Sequence, residues 1–300
     1  MEQYKLNQEI NTGIDKMLLD RSYLERLPSM GGLLNDITEG IRYGRSEASL
    51  ILREADLADS IAKANEKILI LDREQVLEYL SNMRYRLEDD HPEYDQSEQI
   101  VRGYEQGIGI HGLDRIRILI NPTDTEKGPA FTKAQLLKIV SHELMHELAS
   151  KEILNAGRKG FAIHGSSHHE KTNLLWLDEA ITERLAQGLV QDTCITNEKW
   201  RDVYLNLKPD ELERIQSASY QREREQLSKL VSEIVGSCST YKNLISGSHW
   251  DQKKFEDTVF IDNFGKPYFT GDFSFLEKNI KELGYSSFYE LEQLDPSISN

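Results

Sequence analysis

The segment Phe131 to Ile153, FTKAQLLKIVSHELMHELASKEI, limits what this chain can fold into more than any other stretch. Leu136, Leu137, Ile139, Val140, Leu144, Met145 and Leu148 recur at helical spacing and predict a wide buried face. Thr132, followed three residues later by Gln135, reads as a capping box, with Phe131 and Leu136 placed for a hydrophobic staple. A helix capped by Thr132 is therefore expected. On it lies His142-Glu143-Leu144-Met145-His146. Side chains four apart project from one face of a helix, one turn apart, so both imidazoles can reach a single ion. Zinc accepts imidazole nitrogens in a tetrahedral arrangement. Glu143, one residue on, is aimed too far aside to ligate but close enough to take a proton from a water at the metal. Such a pattern also arises by accident on solvated helix faces. Here the apolar flanks place the histidines beside a buried stripe, which favours a site.

A catalytic zinc ion needs a third protein ligand and an open position for water. Position 152 is Glu and position 149 is Ala, so no histidine follows His146 at the metzincin spacing. Trp176 to Leu185 reads as a second amphipathic helix, with Glu179 and Glu183 on one face at i and i+4. Two acids so placed repel each other unless something positive lies beside them. A metal with its histidines would supply that, and a solvated acidic face is the plain alternative. The stretch Asn155 to Thr172 offers His164, His168 and His169 as another source of a third ligand or of a substrate contact. Loop histidines more often have neither role.

The run Asp178-Glu179-Ala180-Ile181-Thr182-Glu183, whose Glu179 lies 33 residues past His146, resembles the second motif of the gluzincin metallopeptidases, the thermolysin-like class. The two motifs follow each other in that family's order, and the resemblance spans Arg115 to Leu189. It implies a zincin-like catalytic core with one Zn2+ on His142, His146 and Glu179. It further implies Glu143 as general base, Glu183 as hydrogen-bond acceptor for a ligand histidine, and a peptide or protein as substrate. In that class a Tyr or His from beyond the third ligand stabilises the oxyanion. Tyr220, Tyr241 and His249 are eligible, and distance along the chain favours the last two. The resemblance also implies that Ile116 to Ile120 is an edge strand on which an extended peptide could pair. The helical N-terminal part departs from the β-rich N-terminal domain of thermolysin. Deformylases share the histidine motif but take a cysteine ligand from upstream of it, and here Cys194 and Cys238 both lie downstream.

Around this core the expected fold is mainly α with a small β-sheet (α+β). A helical region over 1–66 precedes the core at 67–190, and a helical region over 191–300 completes the catalytic domain. Ile51, Ala55, Ala58 and Ala62 mark one stripe of a helix within 46–66, with Ser46 as N-cap. Lys67 to Leu71 leans to β, Asp72 could cap a helix over 73–86, and 87–107, with Asp89, Asp90 and His91, reads as loop. Ile116, Ile118 and Ile120 alternate with Arg115, Arg117 and Leu119, the period of a half-buried strand that Asn121-Pro122 ends. Helices are predicted at 210–236 and 273–283, and Asn263 to Pro267 reads as a turn between two β-leaning pieces.

Charge narrows the partners. With 36 Lys plus Arg against 51 Asp plus Glu, a net −15, the chain would repel phosphate backbones, so no nucleic-acid partner is expected. No apolar run reaches membrane-spanning length, and MEQYKLNQEINTGIDK lacks the apolar core of a signal peptide. Two distant cysteines make neither a disulfide framework nor a thiolate metal site. A cytoplasmic protein without a membrane partner is expected, or one exported without a cleaved signal. Two readings compete with the hydrolase: a binding protein that keeps the metal without turnover, and a helical interaction module with an accidental motif.

Overall fold

A computed structural model of the chain describes residues 28–70, 108–111, 116–119, 129–149, 174–217, 220–241 and 252–296. The readings for 73–86 and 87–107, for His164, His168 and His169, and for His249 lie outside the described residues. What is described is mainly helical. In chain order it comprises α1 (Met30–Tyr43), α2 (Glu47–Glu54), α3 (Ala58–Lys63), β1 (Ile68–Ile70), β2 (Ile108–His111), β3 (Ile116–Leu119) and α4 (Pro129–Leu148). There follow α5 (Leu175–Thr196), α6 (Glu198–Leu205), α7 (Pro209–Ser217), α8 (Gln221–Ser237), α9 (Gln252–Phe260), α10 (Lys266–Thr270) and α11 (Ser274–Glu282). Among these residues no helix is long and apolar enough to cross a membrane.

Helix α5 is the hub: it packs on α1, α2, α4, α6 and α8. Its inward residues Leu177, Ala180, Ile181, Leu185 and Leu189 are buried with Leu33, Leu34, Ile37 and Ile41 of α1 and Leu136, Leu137, Val140 and Leu144 of α4. Each of these leucines, isoleucines and valine contributes about 1.5–3 kcal/mol when removed from water. Polar ties set the angles. Asp192 on α5 accepts from the backbone N–H groups of Arg45 and Ser46 at the α1–α2 junction (3.1 and 3.0 Å). Gly44 is required there, because a Cβ would collide with the Asp192 carboxylate. Arg184 of α5 clasps Glu47 with two hydrogen bonds (2.9 and 2.6 Å) and reaches Asp257 of α9 at 3.1 Å.

Ser46 caps α2 as predicted, its hydroxyl accepting from the Ser49 N–H at 3.2 Å. The single helix expected over 46–66 is broken, however. Asp56 adopts a left-handed φ of 55°, which ends α2, and α3 restarts at Ala58. Short polar side chains tolerate that conformation best, and apolar periodicity carries no sign of it. Helix α4 likewise begins at Pro129, before Thr132, which lies buried inside it rather than capping it. Proline fits the first helical position because it has no N–H to leave unpaired.

The sheet has the order β1-β3-β2, with β1 parallel and β2 antiparallel to β3. The strand predicted at Ile116–Ile120 is real over Ile116–Leu119, with Ile116 and Ile118 buried, but it is central and not an edge. Both its backbone sides are taken, so it offers a peptide no free ladder. The edges among the described residues are β1 and β2.

Two C-terminal expectations also change. The helix predicted over 210–236 is two helices, α7 and α8, because Tyr220 between them takes a left-handed φ of 55°. The turn expected at Asn263–Pro267 is instead a π-helical segment, Ile261–Gly265, that joins α9 and α10. Its cause is Asn263, wholly buried, whose side-chain amide donates to the Val259 carbonyl and to the Tyr241 hydroxyl, both at 2.8 Å. A side chain inserted into the helical ladder widens it locally. Phe260, Phe264 and Tyr268 then all point inward, each without solvent exposure. Helix α11 lies where it was predicted.

Candidate metal centre

Helices α4 and α5 cross so that His142, His146 and Glu179 meet. The His142 and His146 Nε2 atoms are 3.1 Å apart, and Glu179 Oε2 lies 3.2 Å from the first and 3.4 Å from the second. All three residues are buried. This group could hold a metal ion, and among the described residues it is the only such cluster. Two lone-pair nitrogens and a carboxylate oxygen converging in a buried place repel one another unless a cation or a proton lies between them.

The opposite edge of each ring is fixed too. His142 Nδ1 faces Glu183 Oε2 at 3.1 Å, so Nδ1 carries the proton and Nε2 turns its lone pair inward. Glu183 is itself fully buried; Oε1 accepts from Gln187 Nε2 at 3.1 Å and lies 3.3 Å from Lys138 Nζ. Lys138 donates to the Ile215 carbonyl at 2.7 Å. Burial would push the Glu183 carboxyl up, but His142 and the Lys138 ammonium hold it below its usual range.

His146 is held by Thr182 and Asp178 of the second motif and by Tyr268, which the sequence did not single out. Its Nδ1 lies 3.3 Å from both Thr182 Oγ1 and the Tyr268 hydroxyl, and 3.7 Å from Asp178 Oδ1. Tyr268 donates to Asp178 Oδ1 at 2.8 Å, while its oxygen is 2.6 Å from Thr182 Oγ1. Tyr268 therefore couples the π-bulged helix to the second motif, and Asp178 Oδ2 is buried with no hydrogen-bond partner. No local pattern marks a tyrosine 122 residues from the histidine it touches. Replacing Tyr268 with Phe removes one acceptor from His146 and the donor from a buried carboxylate. Metal affinity should fall about tenfold, with a stability loss of about 1–3 kcal/mol. Chelator competition and thermal unfolding measure the two. Unchanged affinity would remove Tyr268 from the centre.

Of the eligible oxyanion residues, the two tyrosines lie in different surroundings. Tyr241 is buried far into the core against Phe255 and Phe275, its hydroxyl taken by Asn263. That overturns the preference for Tyr241. Tyr220 instead stacks on His142, with ring centroids 5.6 Å apart and planes 9° from parallel. Burial, then the nearby Glu179 and Glu143 carboxylates, raise its phenol well above the ordinary value. It therefore stays protonated as a donor. Its left-handed backbone is strained for an aromatic residue, and such strain gathers at functional positions. Glu143 is buried next to the two histidines on the same helix.

In the metal-free protein the carboxylates hold protons on the rings. Burial alone would lower the His142 pKa, but Glu179 and Glu183 more than offset it and raise it to about 9. Burial opposes the charge on His146 as well, and Glu179 with Asp178 raises it to about 10. The two Nε2 atoms are too close for both to carry a proton towards each other, so at most one proton lies between them. A raised histidine pKa stabilises the metal-free fold fully below the unfolded value of about 6.5. That contribution is lost as pH rises through about 9 to 10. A ligating imidazole must be neutral, so the sign for metal binding is the reverse: affinity should rise with pH over that window. Calorimetry at pH 7 in buffers of different ionisation heat should show at least one proton released per metal bound.

Comparison with known protein families, with curated proteins and with solved structures finds no match for this chain.

Proposed function

We propose that this protein is a zinc-dependent peptidase of the gluzincin type, with His142, His146 and Glu179 as metal ligands and Glu143 as general base. The observation that carries the reading is the spacing of the three donor atoms. Tetrahedral ligands at about 2.0–2.1 Å from zinc lie roughly 3.3 Å from one another. The three atoms here are 3.1, 3.2 and 3.4 Å apart. The donor set, two imidazoles and a carboxylate, also suits zinc and leaves a fourth position open. When bound, zinc would polarise the scissile carbonyl and lower the pKa of water.

The chain's own residues would do the rest. Glu143 accepts the proton of the water that attacks the amide carbon and passes it to the departing amine. Tyr220, kept protonated beside His142, donates a hydrogen bond to the oxyanion. Glu183, and the Tyr268–Thr182–Asp178 group, hold the two ligand rings in one tautomer. Strand β2, an edge among the described residues that packs beside α4, offers an extended peptide its backbone ladder. The test is metal analysis with activity on an internally quenched peptide library. One zinc per chain is expected, with hydrolysis abolished by a chelator and restored by added zinc. Full activity after complete metal removal would refute the proposal.

A further inference from the structure

Behind the metal centre, on the Nδ1 side of His142, lies a cleft of about 650 Å³ between α5, α6, α7 and α8. Its size falls within the range of small-molecule sites. Its charge is the opposite of the chain's. The protein carries a net −15, yet Lys138, Arg201 and Arg224 line the cleft and, among the described residues, no carboxylate does. Arg224 forms no ion pair among the described residues, while Arg201 is engaged only by Glu198, at 3.0 Å on the exposed side of α6. The remaining wall is largely apolar, with Val190, Ile195, Tyr204 and Ile215. Lys138 is buried and already paired with Glu183, Arg224 is half-buried and Arg201 is exposed at the cleft's mouth, so the two guanidiniums are free to meet an anion beside the apolar wall.

We infer that this cleft is a second ligand site for a medium-chain monocarboxylate, its head among Arg224, Arg201 and Lys138 and its chain along the apolar wall. The site is coupled to the metal centre through Glu183. Two cleft residues, Lys138 and Gln187, are the groups that hold Glu183 Oε1, and the other oxygen of Glu183 holds His142. A carboxylate that draws Lys138 away from Glu183 changes how firmly His142 is held. Occupancy and metal affinity must then shift each other by the same factor.

The probe is decanoate, titrated calorimetrically into the full chain, metal-free and zinc-loaded. Saturable binding of one decanoate per chain is expected, with decanol, which lacks the charge, at least tenfold weaker. Arg224→Gln and Arg201→Gln should each weaken decanoate several-fold, and the double variant more than tenfold, without loss of the cooperative thermal transition. Saturating decanoate should change zinc affinity by the factor by which zinc changes decanoate affinity. Absence of saturable binding, equal binding of decanol, or equal binding by the double variant would overturn the site. Identical zinc affinity with and without decanoate would overturn the coupling. The titration of metal-free protein reads the site even if the chain proves to hold no zinc and to cleave no peptide.

Discussion

Replacing Glu143 with Gln should lower peptide hydrolysis by about 10²–10⁴-fold while leaving the metal content unchanged. The substitution keeps the shape and volume of the side chain, so the packing of a buried position on α4 is preserved. What it removes is the ability to accept a proton. His142, His146 and Glu179 keep their mutual distances, because Glu143 makes none of the contacts that hold them. The loss should therefore fall on kcat, with KM little changed. Tyr220→Phe makes the useful comparison. It removes one donor to the oxyanion, so the expected effect is a kcat loss of about 10²–10³-fold. If the Glu143 variant hydrolyses peptides at the original rate, the base lies elsewhere.

The second large effect is on metal retention. Glu179 is the carboxylate whose oxygen faces the Nε2 atoms of both histidines. Structural zinc sites bind with about 10–16 kcal/mol, so one ligand in four accounts for roughly 3 kcal/mol, or on the order of a hundredfold in affinity. Glu179→Ala should lose at least that much, measured by chelator competition. Its removal also strips the rings of the carboxylate that raises their pKa most directly, so fewer protons should be released on binding. Asp178→Asn provides the control. Asp178 touches His146 only at 3.7 Å and through Tyr268, so a smaller loss, about tenfold, is expected. An Asp178 effect as large as that of Glu179 would mean that the two acids have exchanged roles.

Much of the centre was legible before any coordinates. His142 and His146 could be paired because helical geometry is local: a four-residue spacing sets the angle between two side chains whatever surrounds the helix. The same holds for Glu179 and Glu183, and the structure brings both to the histidines. Helix α11 and the Ser46 cap were read correctly for the same reason. The errors have a common cause as well. Each arose at a single residue: Pro129 starts the helix ahead of Thr132, the Asn263 side chain enters the helical ladder, and Asp56 and Tyr220 break the helices expected over 46–66 and 210–236 through their backbone angles. Hydrophobic period does not report those angles.

By itself, then, the order of residues determined which side chains of each helix could face a shared ion, because those relations are carried within single helices. Tertiary structure alone decided the rest. It made the Ile116–Leu119 strand central, set Tyr220 against His142 and buried Tyr241 against Asn263. It also brought Tyr268 from a π-bulged helix to His146, and Lys138 to Glu183. Those contacts join elements distant in the chain, and they exist only because apolar faces packed at particular angles around α5. No local spacing encodes an angle between helices.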